Sequence, residues 1–268
     1  MVNAPVIVNI EKIVEETPTI KTFLFNWDMD KYGVPNPGEF VMVWNFENEK
    51  PMSISVIDEH NGQLGISVKN VGEFTNSLHQ LDEGDQIGIR GSYGHGFKTD
   101  FEDKRILAIG GGVGMAPINA IAKDLLIKGN NVDVITAGVT YDELLFMNSL
   151  KELGATIHAC TDDGSFGFEG FATDCCLEVL KENDFDMVFV CGPEIMMKGI
   201  YDILNEHEID YEFSLERYMK CAIGICGQCC LDPTGWRVCA EGPIFNKENL
   251  AKIDEFGKYK RDASGIKL

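Results

Sequence analysis

The stretch RILAIGGGVGMAP, residues 105–117, sets the architecture. A short apolar run enters a glycine cluster, and PINAIAKDLLIKG follows with Pro117 near the first helical turn and Gly129 at its end. Apolar run, glycines and capped helix read as a buried strand, a tight turn and a helix. The rhythm continues outward: NVDVITAGVT, ATIHACTDDG and DMVFVCGP read as strands, and DELLFMNSLKELG, FATDCCLEVLKEN and EIMMKGIYDILNEH as helices. Strands alternating with helices predict right-handed βαβ units and a parallel sheet over residues 101–210. Upstream the rhythm differs. VIVNIEKIV, TIKTFLFNW, EFVMVWNF, MSISVID, LGISVKNV and DQIGIRGSY are short, β-branched or aromatic, and separated by turn residues. They predict a small antiparallel β-barrel over residues 1–100, with FTNSLHQLDEG as a short helix ended by Gly84. Residues 211–268 hold a cysteine-rich loop, a helical stretch KENLAKIDEF and a polar tail.

That loop carries the most specific chemistry. Cys221, Cys226, Cys229 and Cys239 lie in CAIGICGQCCLDPTGWRVC. The first three follow the C-x4-C-x2-C spacing of a [2Fe–2S] site, with the fourth further on. Gly224 and Gly227 let the loop turn sharply, and its N–H groups can point at the sulfurs. Zinc is the rival occupant, although zinc sites usually show two C-x2-C pairs and only one short pair is present. Cys230 reads as a non-ligand. An iron–sulfur cluster moves one electron at a time, so the chain is expected to handle electrons.

Composition narrows the classes. The chain has 268 residues, enough for two cores and a small appendage. Its 43 acidic and 23 basic residues give a net charge of −20, which argues against nucleic-acid binding. The N-terminus lacks the basic start and apolar run of a signal peptide, and no apolar stretch has the length of a membrane span. Nine cysteines in such a chain suggest a reducing compartment, hence a cytoplasmic protein with ligands or buried thiols. Cys175 and Cys176 read as a helix pair with one member buried. No HExxH pattern or Ser–His–Asp order appears.

The glycine run Gly110-Gly111-Gly112-Val113-Gly114 stands where a pyrophosphate meets a helix N-terminus, although a tight turn alone would read the same way. With Pro117 in place of a third motif glycine, GGGxGxAP resembles the nucleotide-binding turn of ferredoxin–NADP reductase-like proteins. Cys191-Gly192-Pro193-Glu194-Ile195-Met196 resembles that family's CGPxxM turn over the nicotinamide, which implies Cys191 on the hydride path. Lys50-Pro51-Met52-Ser53 resembles its RxxS flavin segment, with Lys50 in place of Arg and therefore without a bidentate fork. Ser67-Val68-Lys69 and Gly72-Glu73-Phe74-Thr75 resemble its second flavin segment, with Thr75 alternatively a plain N-cap. Gly138-Val139-Thr140-Tyr141-Asp142-Glu143 offers two acids and no base for a 2′-phosphate, which favours NAD over NADP.

Taken with Ser214-Leu215-Glu216-Arg217-Tyr218-Met219-Lys220 before the cysteines, Thr161-Asp162-Asp163-Gly164-Ser165-Phe166-Gly167, and the closing Val238-Cys239-Ala240-Glu241-Gly242-Pro243, the chain resembles the electron-transfer subunits of class 1B, NAD-linked dihydroorotate dehydrogenases over nearly its full length. The resemblance implies an FAD barrel, an NAD-binding domain, a [2Fe–2S] module and a separate FMN-containing catalytic subunit, in a heterotetramer of two of each. It also implies NAD-linked electron transfer in pyrimidine biosynthesis. Flavin subunits of cytoplasmic hydrogenases and anaerobic sulfite reductases share this layout and remain an alternative. A redox sensor would keep the cysteine loop but need no nicotinamide turns. Two departures stand out: the nine residues between Cys229 and Cys239, shorter than in many members, and Ala222 where Gly is common.

Overall fold

The computed structural model describes residues 4–268. Six strands close a barrel: β1 Val6–Thr17, β2 Ile20–Asn26, β3 Phe40–Trp44, β4 Glu49–Asp58, β5 Gln63–Lys69 and β6 Gln86–Tyr93, in the order β1-β2-β5-β4-β3-β6. Every adjacent pair is antiparallel. Closure leaves no free edge, and the inward side chains (Phe23, Phe25, Val41, Val43, Ile54, Leu64, Ile66, Ile87, Ile89) fill the interior. Two short helices sit in its connections, α1 Met29–Tyr32 and α2 Glu73–His79. The second ends at Gln80, earlier than the expected stop at Gly84.

The rest builds on a seven-stranded sheet. Its strands are β7 Arg105–Gly111, β8 Asn131–Gly138, β9 Thr156–Thr161, β10 Phe168–Glu169, β11 Met187–Cys191, β12 Asp210–Ser214 and, beyond a two-stranded ribbon (β13 Cys230–Leu231, β14 Trp236–Arg237), β15 Ile244–Asn246. The order is β10-β9-β8-β7-β11-β12-β15, parallel except for β15. Helices α3 Met115–Ile127, α4 Met147–Glu152, α5 Ala172–Glu182 and α6 Glu194–Leu204 connect the strands, and α7 Lys247–Leu250 follows β15. The sheet thus continues past residue 210, and β12 and β15 complete it from within the segment read as cysteine loop and tail. The cysteine loop is a long excursion between two paired strands.

Two expected helices are short. Phe146 takes φ +57°, so DELLFMNSLKELG yields a 3-10 turn at Tyr141–Glu143 and only α4. That kink lets Leu144 and Leu145 face the core. KENLAKIDEF yields one turn, α7, after which Ile253 and Phe256 pack into the interior from irregular chain. Cys175 and Cys176 are both buried, not one of them. The barrel is pinned to the sheet by Asn119 of α3, whose buried Nδ2 donates to the Ser55 carbonyl of β4 at 2.8 Å.

Candidate functional site

Strand order reverses between β7 and β11. From β7 the chain moves to β8 and β9 on one side, and β11 leads to β12 on the other. Ligands of open α/β sheets bind in the crevice at such a switch point, beyond the strand carboxyl ends. The GGGVG run ends β7 there and the CGP turn ends β11, with Gly110 and Cys191 partners in register. The two turns touch. A Cβ on Gly114 would lie 2.6 Å from the Cys191 carbonyl oxygen and 2.6 Å from the Gly192 Cα, and one on Gly111 2.5 Å from the Met196 sulfur. A side chain at Gly114 would strike main chain that cannot give way, whereas one at Gly111 would have to displace the Met196 side chain, so Gly114 above all preserves the close approach and a cradle of bare backbone. That cradle fits a dinucleotide's pyrophosphate.

Burial pushes the Cys191 thiol up to about 12, against the pull of a hydrogen bond with Ser214. It is therefore neutral at physiological pH and offers an uncharged contact, with no proton to give or take readily.

The loop after β8 gathers more acid than sequence spacing suggested. The N–H groups of Asp162 and Asp163 donate to the Gly138 and Val139 carbonyls, and the Tyr141 N–H donates to Ser165 Oγ at 2.8 Å. The TDDGSFG turn is thereby folded onto Tyr141-Asp142-Glu143, with the Tyr141 and Phe166 rings 5.1 Å apart. Burial raises the Asp162 carboxyl, and the charges of Glu143 and Asp163 raise it further. Neutralising Asp142 and Glu143 (D142N/E143Q) is expected to raise kcat/KM for NADPH relative to NADH by about fivefold per charge removed, the factor for ~1 kcal/mol of solvent-screened repulsion. Steady-state rates with both nucleotides measure it, and an unchanged ratio places specificity elsewhere.

On the barrel, Glu49–Ser53 of β4 are all half-buried, whereas the facing Phe40–Val43 of β3 are buried. Pro51 and Ser53 share the barrel's outer face with their partners Met42 and Phe40, whereas Met52 packs against the barrel core, so Pro51, Ser53 and the strand backbone are the parts that fit a flat isoalloxazine. Lys50 already has a neighbour, its ammonium 5.0 Å from the centre of the Tyr218 ring. The second flavin segment needs correction. The Ser67 hydroxyl bonds Thr22 and Ser55 on the buried outer face of the barrel, where Asn119 of α3 meets Ser55, and Val68 points into the barrel core. Only Lys69 and backbone remain for a ligand, and Lys69 lies 4.0 Å from Glu143. Gly72 is the N-cap of α2; Thr75 sits a turn in, and its Oγ accepts from the N–H groups of Val71 and Gly72. Phe74 packs against the barrel core.

The four cysteines form two pairs, Cys221 with Cys226 and Cys229 with Cys239. Among the described residues they are not closed round a single point. The N–H groups of Ile225 and Cys226 both donate to Cys221 Sγ at 3.4 Å, and that of Cys239 to Cys229 Sγ at 3.4 Å. Gly224 and Gly227, at φ +75° and +70°, make those turns. Four thiols with N–H donors aimed at sulfur fit a [2Fe–2S] cluster. Ala222 also adopts positive φ, +62°, and is buried. Its left-handed backbone costs ~1–2 kcal/mol, which burial of its methyl, ~0.8 kcal/mol, partly offsets. Cys230 lies on β13 opposite Arg237.

Burial raises the Cys221 thiol, but the N–H groups of Cys226, Ile223 and Ile225 outweigh it and bring it down to about 6. In metal-free protein at pH 7 it is expected to hold ~30-fold more thiolate than an ordinary cysteine. Its lower nucleophilicity takes back ~tenfold, leaving iodoacetamide alkylation roughly two- to threefold faster. The contrast should sharpen at pH 6 against Cys230, which burial raises. Peptide mass spectrometry after timed pulses measures both, and equal rates would contradict the loop geometry.

Sequence reasoning missed two arginines that join these parts. Arg217 is buried; its Nε donates to Glu255 at 2.7 Å and its Nη1 to Glu194, the residue after Gly192-Pro193, at 2.8 Å. Arg90 on β6 donates to the Cys221 carbonyl at 3.1 Å. Arg217 belonged to a quoted segment, but its partner Glu255 lies 38 residues away.

Comparison with known proteins supplies the family. Residues 216–251 match the model of the iron-sulfur cluster binding domain of dihydroorotate dehydrogenase B, and residues 108–202 that of the oxidoreductase NAD-binding domain. A protein of Methanothermobacter thermautotrophicus, named probable dihydroorotate dehydrogenase B (NAD(+)), electron transfer subunit, is 52% identical over 99% of this chain and 98% of its own. This chain belongs to that family. A dihydroorotate dehydrogenase B electron transfer subunit of Methanocaldococcus jannaschii, also named as probable, is 48% identical over 98% of each chain. The solved NADH-dependent reduced ferredoxin–NADP oxidoreductase matches with a TM-score of 0.80 at 28% identity, covering 93% of each chain. The cytochrome b5 reductase domain of Ulva prolifera nitrate reductase shares the fold, with a TM-score of 0.60 at 22% identity over 72% of this chain and 89% of its own. The barrel, nucleotide sheet and cysteine module are those of a ferredoxin-reductase-like flavoprotein with FAD, NAD and [2Fe–2S] as cofactors. Among the described residues no helix is long and apolar enough to cross a membrane.

Proposed function

We propose that this chain passes electrons between NAD and the FMN of a separate catalytic subunit that oxidises dihydroorotate to orotate, as the electron-transfer subunit of an NAD-dependent dihydroorotate dehydrogenase in pyrimidine biosynthesis. Bound FAD supplies the exchange between two-electron nicotinamide chemistry and one-electron cluster chemistry. The chain's residues provide position. Gly110, Gly111, Gly112 and Gly114 hold the NAD pyrophosphate on bare backbone. Cys191, Gly192 and Pro193 bound the nicotinamide, with the neutral Cys191 thiol as an uncharged wall of the hydride path. Lys50–Ser53, the backbone and Lys69 of the second segment, Phe74 and Thr75 hold FAD, while Val68 supports that strand from the barrel core and Ser67 from its buried outer face. Cys221, Cys226, Cys229 and Cys239 ligate the cluster. In this division residues 1–100 serve FAD, 101–210 NAD and 211–268 the cluster.

The supporting observation is the cysteine loop's attachment to both halves, through Arg90 to the flavin strand side and through Arg217 to the CGP turn. A loop built only for stability would not need both. We place the protein in the cytoplasm, in a heterotetramer of two of each subunit. Purification from native cells, with mass spectrometry of what accompanies the chain, tests this. A flavin-containing dihydroorotate dehydrogenase subunit and NAD-dependent orotate formation by the pair are expected. A hydrogenase or sulfite-reductase subunit in its place would overturn the assignment and redirect the electrons.

A further inference from the structure

The barrel meets the cysteine loop at a charged joint built on Arg90. The Arg90 side chain is 11% exposed. Its Nε and Nη2 hold the Glu49 carboxylate at 2.9 and 2.6 Å, and its Nη1 donates to Tyr93 Oη at 3.0 Å and to the Cys221 carbonyl at 3.1 Å. Glu49 directly precedes the Lys50–Ser53 strip, and Arg90 and Pro51 flank the same residue of β3, Met42. One guanidinium therefore joins the peptide of the first cluster cysteine to the strand proposed to carry the flavin. Two contacts brace the joint: Lys50 over the Tyr218 ring, and the His95 N–H donating to the Gly242 carbonyl at 2.7 Å, just past Cys239.

We propose that Arg90 is a positioning residue that holds the Cys221 arm against the flavin strand, and that the Arg90–Glu49 pair poises the reduction potential of the cluster. The proposal rests on the [2Fe–2S] reading of the cysteine loop. Reduction adds one electron and one negative charge there, with no bond made or broken. A guanidinium hydrogen-bonded to a ligand residue's own carbonyl favours the reduced state, and a carboxylate beside it favours the oxidised state. Partial burial weakens solvent screening of both. Paired, they oppose each other; singly removed, each leaves the other uncompensated. The fork also matters: Lys keeps the charge but cannot hold Glu49 and the Cys221 carbonyl together.

Redox titration monitored by electron paramagnetic resonance, on the purified chain with its cofactors, tests the signs. Arg90→Gln is expected to shift the reduction equilibrium about tenfold toward the oxidised cluster, ~59 mV for one electron. Glu49→Gln is expected to shift it by a similar factor the other way, and R90Q/E49Q to return close to the starting value. Arg90→Lys should keep the potential within ~threefold of the starting equilibrium, because the charge remains. A merely structural role would give cluster loss or instability without opposite signs. Should R90Q fail to fold, E49Q alone must still raise the potential. Unmoved potentials, or E49Q and R90Q moving together, overturn the proposal while the cluster assignment stands; a parent chain that holds no cluster overturns both.

Discussion

Changing Cys226 to Ser should abolish the [2Fe–2S] absorbance and paramagnetic signal while leaving FAD reduction by NADH intact. Cys226 is the best ligand to change because it is the exposed one; Cys229 and Cys239 are buried in the main core, where substitution would also disturb packing. Ser keeps the backbone N–H that donates to Cys221 Sγ, so the loop should retain its turn. A serine hydroxyl is a poor replacement for a thiolate on iron, which prefers soft sulfur donors. The nicotinamide crevice lies at the ends of β7 and β11, and its tie to the cysteine segment runs through Arg217 and Glu194, which this substitution leaves in place. Hydride exchange should therefore survive. Absorbance and paramagnetic spectra before and after anaerobic NADH measure both halves. An unchanged cluster in the variant would remove Cys226 from the ligand set, and lost FAD reduction would mean that the loop supports the crevice more than its contacts indicate. The same change at Cys230 should leave the spectrum as it was.

Replacing Arg217 with Met should cost about 3–5 kcal/mol of stability, the usual penalty for stripping one partner from a buried ion pair. Arg217 is 6% exposed, and Glu255 is fully buried. Without the guanidinium, the Glu255 carboxylate keeps the Asp232 N–H at 2.9 Å. Glu194 would keep the Gly257 N–H at 2.9 Å but lose the fork that fixes the first turn of α6. For a chain of this size the loss corresponds to a drop of roughly 6–20 °C in Tm. The double variant R217M/E255Q should recover part of it, since the stranded charge is then gone. Calorimetry on the three proteins decides the matter: a single variant within ~1 kcal/mol of the parent would mean the network is solvated. Because Glu194 follows Gly192-Pro193, R217M should also lower the rate of flavin reduction by NADH.

What the sequence disclosed follows the range of the forces involved. The barrel strands, the β7 glycines, the α3 helix and the alternation that builds the parallel sheet are written in neighbouring residues, because turn glycines and strand or helix periodicity act locally. The four cysteines are close in sequence for the same reason. Illegible were features that long-range pairing decides. Strand β15 is three residues long and forms only because β12 offers an edge, though Tyr211 and Phe213 of β12 carry an alternating pattern that could have marked that strand. DELLFMNSLKELG reads as one helix, but burial of Leu144 and Leu145 wins and Phe146 takes the left-handed turn. Ser67 looked like a flavin contact, yet its hydroxyl satisfies two buried neighbours on the barrel's outer face. Arg90 was an ordinary strand residue in sequence, and its partner Cys221 stands 131 positions away.

An anaerobic titration of the purified chain with NADH, followed by flavin absorbance and the paramagnetic signal of the cluster, tests the central claim most directly. Electron transfer through this chain predicts that NADH bleaches the flavin and that the cluster signal appears with it, before any partner is added. A flavin that bleaches beside a cluster that only a strong chemical reductant can reduce would contradict it, because the cysteine loop would then lie off the path of the electrons.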